Sequence, residues 1–359
     1  MTVTDHSLNL ENATYKDTPE VEVLAREKHI ESGLYVSYMD VADISDHSPY
    51  KEKQEVQAII ANLDQQLRQN LDWQAPQVVD GELDRTSLNP VSAWLYGENF
   101  PCLTEWRESV PSASALSNLY LPQETHLPGN INDGDGLFNG TEIDTTTHSF
   151  FLNGLDCIAI RTRAQLMKMI ASRTISKDEA KTHWVSLACG AAIPVFETLG
   201  DSHADVRLDL VDVDPDALEF AKRFALKHSL VEGEDFTLFN RHLVRDLIVT
   251  DKLVAELGEN EADMVDMMGI FEYFKPEPAA VMLKNAFRLV KPGGVLVLAN
   301  MLSTRPQLDF NLRGVGWPYI KPRSLEEISE IILGAGLSLD DAEVYIPKDG
   351  IYAVVEIRK

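Results

Sequence analysis

At 359 residues, 44% hydrophobic and 25% charged, the chain reads as a globular protein longer than one average domain. Its formal net charge of −25 repels phosphate backbones and anionic lipid, so neither nucleic acid nor a membrane surface is an expected partner. Cys102, Cys157 and Cys189 lie far apart without C-x-x-C spacing, which excludes a disulfide framework or a zinc site; with no apolar leader or membrane-length apolar run, the expected location is cytoplasmic.

Residues 1–17 are polar and read as poorly ordered. Over residues 19–35, Val21, Leu24, Ala25 and His29 recur at helical spacing, and Val56, Ile59, Ile60, Leu63 and Leu67 do so again, so the region 1–149 is predicted to be mainly helical. Residues 121–148 are turn-rich. At their centre Asn130, Asn132, Asp133 and Asp135 alternate among glycines, but out of phase with the glycine of a calcium loop and without its twelfth-position glutamate. That stretch reads as a surface loop, and the domain boundary is placed at its end. Residues 150–175 return to a helical pattern carrying Arg161 and Arg163, which suit a solvated face or a carboxylate ligand.

The second part alternates strands and helices. An apolar run at 185–187 enters the small-residue turn Ala188-Cys189-Gly190-Ala191-Ala192; a short helix at 194–199 and a second strand at 208–211 follow, ending on Asp212. Asp212 lies 22 positions beyond Gly190, close to the roughly 20 that separate a nucleotide-binding turn from its ribose acid. A helix at 216–228, a strand at 236–239, a polar turn at 240–246 and a strand with its loop at 263–274 come next. A helix at 278–290 then leads through Lys291-Pro292-Gly293-Gly294 into a strand at 295–300. Residues 301–323 are too long for a simple connection, and after a helix at 324–335 the runs 338–346 and 351–357 flank Asp349-Gly350 as a hairpin.

These segments resemble the class I S-adenosylmethionine-dependent methyltransferases over residues 150–359. Residues 186–192 are similar to the family's [DE]-x-G-x-G-x-G turn: Gly190 matches, Ser186 stands in place of the acid, and Ala188 and Ala192 stand in place of glycines. Val211-Asp212-Val213-Asp214-Pro215 resembles the second-strand acid motif. Residues 263–274 resemble D-x-V-x-x-x-G-h-x-x-[YHF], and the Lys-Pro-Gly-Gly turn falls before the fifth strand as in the family. The resemblance implies an α/β, Rossmann-like seven-stranded methyltransferase sheet ordered 3-2-1-4-5-7-6 behind a mainly helical N-terminal region.

The resemblance also implies S-adenosyl-L-methionine as cofactor, held by Ala188, Cys189, Gly190, Ala191, Asp212, Val213, Asp246, Leu247 and Gly269. Asp212 would take the ribose diol, Asp246 with His242 or Leu243 beside it the adenine, and Gly269 the methionine end. The helix at 150–175 would cover the cofactor. Glu272, Tyr273 and Tyr319 are the candidate catalytic residues, and Tyr273, Arg305, Trp317 and Tyr319 are expected to line an acceptor pocket between the N-terminal region and residues 301–323. The expected partner is a small-molecule substrate, with no metal. The chain lacks the Asn-Pro-Pro-[Tyr/Phe] of the branch that methylates amino groups of DNA bases or glutamine. A homodimer is the alternative use of residues 1–149. Two further readings stand beside this one: a catalytically silent methyltransferase-like binding or scaffold protein, and an NAD-dependent oxidoreductase, for which no Tyr-x-x-x-Lys proton donor is legible.

Overall fold

The computed structural model describes residues 21–97, 100–130, 136–175, 181–200 and 206–359. The readings made for residues 1–17 and for the Asn/Asp centre at 131–135 lie outside the described residues. The chain begins with strands β1 (Val21–Lys28) and β2 (Tyr35–Val41), where a helix was expected over 19–35. Val21, Val23 and Ala25 also fit a period of two, and pairing settles the ambiguity: β1 lies antiparallel to β2, and β2 lies parallel to a strand near the C-terminus. Helices follow as predicted for α1 (Tyr50–Gln69), which buries Ile60, Leu63 and Leu67. After the small ribbon β3 (Val78–Val79) and β4 (Glu82–Leu83) come α2 (Pro90–Leu95), α3 (Leu103–Ser109), α4 (Ala113–Tyr120) and α5 (Thr145–Asn153).

The expected helix at 150–175 is two helices, α5 and α6 (Leu155–Thr174), meeting at Gly154. A Cβ at Gly154 would stand 2.8 Å from the Phe150 carbonyl, so the close turn requires glycine. Nearly all of α6 is buried, Arg161 and Arg163 included, so the solvated charged face is corrected. The chain then alternates β5 (Thr182–Leu187), α7 (Ile193–Leu199), β6 (Val206–Asp212), α8 (Pro215–Lys227), β7 (Phe236–Asn240), α9 (Lys252–Leu257), β8 (Ala262–Met267), α10 (Pro276–Leu289) and β9 (Val290–Met301). The Lys291–Gly294 turn is absorbed into β9, where the register against β8 shifts between Ala262 and Met264. Helix α11 (Leu325–Gly334) and the hairpin β10 (Ala342–Pro347) and β11 (Tyr352–Arg358) complete the chain.

The main sheet runs β1-β2-β10-β11-β9-β8-β5-β6-β7, with β7, β6, β5, β8 and β9 parallel and β11 antiparallel to β9. From β7 to β10 this is the expected 3-2-1-4-5-7-6 order. The sheet has nine strands rather than seven because β2 and β1 extend its β10 edge. One face packs α6, α7, α8 and the N-terminal helices through Trp106, Phe151, Trp184 and Phe196; the other packs α10 and α11 through Met282, Leu283, Ile328 and Ile332. Parallel strands buried on both faces read as continuous apolar runs, which is why 185–187 and 208–211 were legible.

Candidate cofactor and acceptor site

Where β5 ends, the chain turns back over the sheet edge, and Ala188, Gly190 and Ala192 all take left-handed backbone, with φ of 52°, 54° and 52°. The family pattern places glycine at these three positions, and the alanines hold the same conformation at a strain of about 1–2 kcal/mol each. A Cβ on Gly190 would meet the Ala113 side chain at 3.3 Å, so α4 closes over the turn. The turn is anchored to the next strand. Asp212 accepts from the Gly190 N–H at 2.8 Å with one carboxylate oxygen and from the Asp214 N–H at 3.0 Å with the other. Burial raises the Asp212 pKa against these donors, and lone pairs on both oxygens remain for a ligand.

A cavity of about 380 Å³ opens above this turn, within the usual size of a small-ligand site. Ala188, Cys189, Gly190, Ala191, Asp212, Val213, Gly269 and Tyr273 all line it, so these predicted residues converge. Asp246 and Leu247 do not line it. Asp246 is buried in a two-bond ion pair with Arg245, which pulls its pKa down to about 2, and Leu247 is core. The loop after β7 instead presents His242, Leu243 and Val244 to the cavity, because the chain coils into a wide turn at Val244–Val249 that rotates Asp246 away. Cys189 is half-buried near Asp212 and Asp266, and desolvation with those two charges pushes its thiol pKa well up, so it stays protonated.

The sequence reading missed Asp266. It is the direct register partner of Ser186 across β5 and β8, both residues line the cavity, and the Trp184 Nε1–H donates to Asp266 at 2.7 Å. The acid absent at position 186 is thus present one strand over. Burial lifts its pKa to about 7, with Trp184, Ser186 and the Met268 N–H favouring the anion. Its signal in sequence was the second acid of Asp263-Met264-Val265-Asp266, indistinguishable there from a strand residue facing solvent.

Helix α4 and the segment before it roof the cavity with Pro111, Ser112, Ala113, Leu116 and Tyr120, while α6 contributes Arg163 and Met167. A second, much smaller chamber adjoins it and shares Leu116, Arg163, Gly269 and Tyr273. Its apolar walls include Trp106 from the N-terminal region, Phe150 from α5, and Phe310 and Trp317 from the 301–323 segment. Glu272 lines this chamber and accepts from the Met301 N–H at 2.8 Å; burial raises its pKa, opposed by Arg163. Trp317 Nε1–H donates to the Tyr273 hydroxyl at 2.8 Å. Burial, with Glu272 nearby, raises the Tyr273 pKa, so the phenol keeps its proton. Tyr319 is 79% exposed and lines neither chamber. Arg305 lines neither as well: its guanidinium is fully buried in an ion pair with Asp156.

No protein-family model matches the chain, and no curated protein does. A solved structure of a possible exported protein from Bordetella parapertussis is 18% identical and superposes with a TM-score of 0.57, covering 88% of this chain and 99% of that one. An O-methyltransferase family protein from Burkholderia thailandensis is 18% identical, with TM-score 0.42 and coverage of 78% and 75%. Magnesium protoporphyrin IX methyltransferase from Synechocystis is 14% identical, with TM-score 0.41 and coverage of 58% and 85%. The strand order, with its antiparallel β11, defines the protein as having the class I methyltransferase fold. Among the described residues no helix is long and apolar enough to cross a membrane.

Proposed function

We propose that the chain is an S-adenosyl-L-methionine-dependent methyltransferase acting on a small-molecule acceptor. The observation that carries this reading is one cavity at the carboxyl ends of the strands that combines a left-handed turn with two separated carboxylates, Asp212 and Asp266. Such a cavity fits a ligand that is a nucleoside at one end and a cation at the other. Asp212 would accept from the ribose hydroxyls, and Val213, Ala217, Leu243 and Val244 offer apolar contact to the base. Asp266 would face the amino-acid end, where an ammonium needs a counter-charge. When bound, this cofactor supplies a methyl group already activated by the sulfonium, so the chain's own task is to hold the acceptor in line and exclude water.

Helices α3 to α5 and the 301–323 segment supply the roof and the acceptor chamber, and we assign residues 1–149 that covering role over residues 150–359. Tyr273, at the junction, and Glu272, in the inner chamber, are positioning groups, and Tyr319 leaves the catalytic set. Calorimetric titration of the full chain with S-adenosylhomocysteine and, separately, NADH tests the reading. Micromolar binding of the first and none of the second is expected; NADH binding, or neither, refutes it. A labelled-methyl assay on a metabolite extract then separates an enzyme from a silent binding protein.

A further inference from the structure

Three cations stand on or near the inner chamber, and they are not equivalent. Arg161 forks onto Asp43 with both side chains buried, and Arg305 is paired with Asp156. Arg163 is equally buried, at 3% exposure, yet among the described residues it makes no ion pair. Its Nη2 donates to the Tyr120 hydroxyl at 3.0 Å and its guanidinium stacks 4.5 Å over the Tyr352 ring, while its Nε–H has no partner. Glu272 acts on it electrostatically but makes no ion pair with it, and one Glu272 oxygen accepts from the Met301 N–H. A buried guanidinium with an unused donor, and with only the non-contacting charge of Glu272 to offset it, leaves a place for an anion that contacts it directly.

The position of that charge matters. Arg163 and Tyr273 are two of only four among the described residues that line both chambers, so they mark the passage between the donor cavity and the inner chamber. Tyr273 accepts from Trp317 and keeps its own proton, leaving its O–H free to donate. Two donors, one of them a permanent cation, therefore converge where the two chambers meet. Deeper in, Asn311 Oδ1 is buried without a partner and its residue lines the chamber, while Trp106, Phe150, Phe310 and Trp317 form apolar walls.

We propose that the methyl acceptor is a compact aromatic oxyanion, a ring carboxylate in its simplest form, whose charged oxygen is held at this junction by Arg163 and Tyr273. The inference rests on the donor-cavity reading above. An oxyanion arrives without a proton to lose, so the chamber needs no general base. The acceptor oxygen forms the new O–CH₃ bond as the S–CH₃ bond breaks, the bonding pair stays on sulfur, and the anion and the sulfonium leave as a neutral ester and a thioether. A hydrogen-bond donor on the ring, such as a hydroxyl or amino group, would satisfy Asn311.

The test uses the full chain saturated with S-adenosylhomocysteine, titrated calorimetrically with benzoate, salicylate and anthranilate, each against its neutral amide. At least one acid should bind tenfold or more tightly than its amide. Arg163→Met should erase that preference, Arg163→Lys should keep part of it, and Tyr273→Phe should weaken the acid and leave the amide unchanged. Should Arg163→Met fail to fold, the lysine and phenylalanine variants carry the same comparison. If the chain binds S-adenosylhomocysteine but no acid is preferred over its amide, or the preference survives Arg163→Met, the proposal is overturned. If S-adenosylhomocysteine itself does not bind, the donor-cavity reading is what has failed.

Discussion

Replacing Asp212 by alanine separates its two roles, because the carboxylate already has structural work before any ligand arrives. It holds the Gly190 and Asp214 N–H groups, at 2.8 and 3.0 Å, on different oxygens. Leaving a buried N–H without a partner costs about 1–3 kcal/mol, and these two are only half-buried beside a cavity that water can reach, so Asp212→Ala should lower stability by about 2–4 kcal/mol. Losing a charged acceptor for the ribose should cost a further 1.5–3 kcal/mol of binding, or about 10- to 150-fold in Kd for S-adenosylhomocysteine. Asp212→Asn retains one acceptor and turns an NH₂ toward the other donor, so it should fall between wild type and alanine in both measures. Urea unfolding reads the first effect and calorimetry the second. A folded Asp212→Ala protein whose Kd is unchanged would refute the ribose assignment, and one whose urea midpoint is also unchanged would refute the anchoring argument.

Gly190→Val should abolish S-adenosylhomocysteine binding in a calorimetric titration, since φ of 54° disfavours a branched residue and its Cβ would press on Ala113. Ala188→Gly should be stabilising by about 0.5–1 kcal/mol in urea melts, because relief of left-handed strain exceeds the added chain entropy. Asp266 has a folded pKa of about 7, raised by burial from 3.8, so the stability it contributes is present below pH 4 and is lost as the pH rises through 7; Asp266→Asn should flatten that decline in unfolding midpoints measured from pH 5 to 8. Binding of S-adenosylhomocysteine should show the opposite slope, tightening about five- to tenfold between pH 6 and 7.5 as Asp266 ionises, and the same variant should weaken it and remove the slope.

The parts of the fold that sequence made legible are those where local pattern and tertiary demand agree. Residues 185–187 and 208–211 are apolar because their strands are covered on both faces, and Gly190 to Asp212 has the spacing that one crossover imposes. Residues 21–28 failed for the converse reason. An edge strand exposed along most of its length carries little periodicity, and its identity is settled only by pairing with residues 35–41. Asp246 failed more locally: the loop after β7 coils into a wide turn, so of the residues the resemblance assigned to the adenine, His242 and Leu243 reach the cavity, with Val244, and Asp246 does not.

Asp266 shows what a linear motif cannot encode. The family pattern looks for an acid two residues before the first small residue of the turn and finds Ser186, which kept the reading of a catalytically silent binding or scaffold protein open. In the sheet, however, the relevant neighbour of Ser186 is its register partner on β8, and that partner is an acid facing the same cavity. A ligand responds to where a charge stands, not to which strand carries it, so moving the carboxylate across one parallel pair keeps the electrostatic field near the cavity floor while changing both local sequences. The exchange also changes the chemistry. With Trp184 and Ser186 beside it and little solvent around it, burial lifts the pKa of the acid at 266 to about 7, so charge at the end of the cavity we propose for the amino-acid group is conditional on pH or on the arrival of a cation.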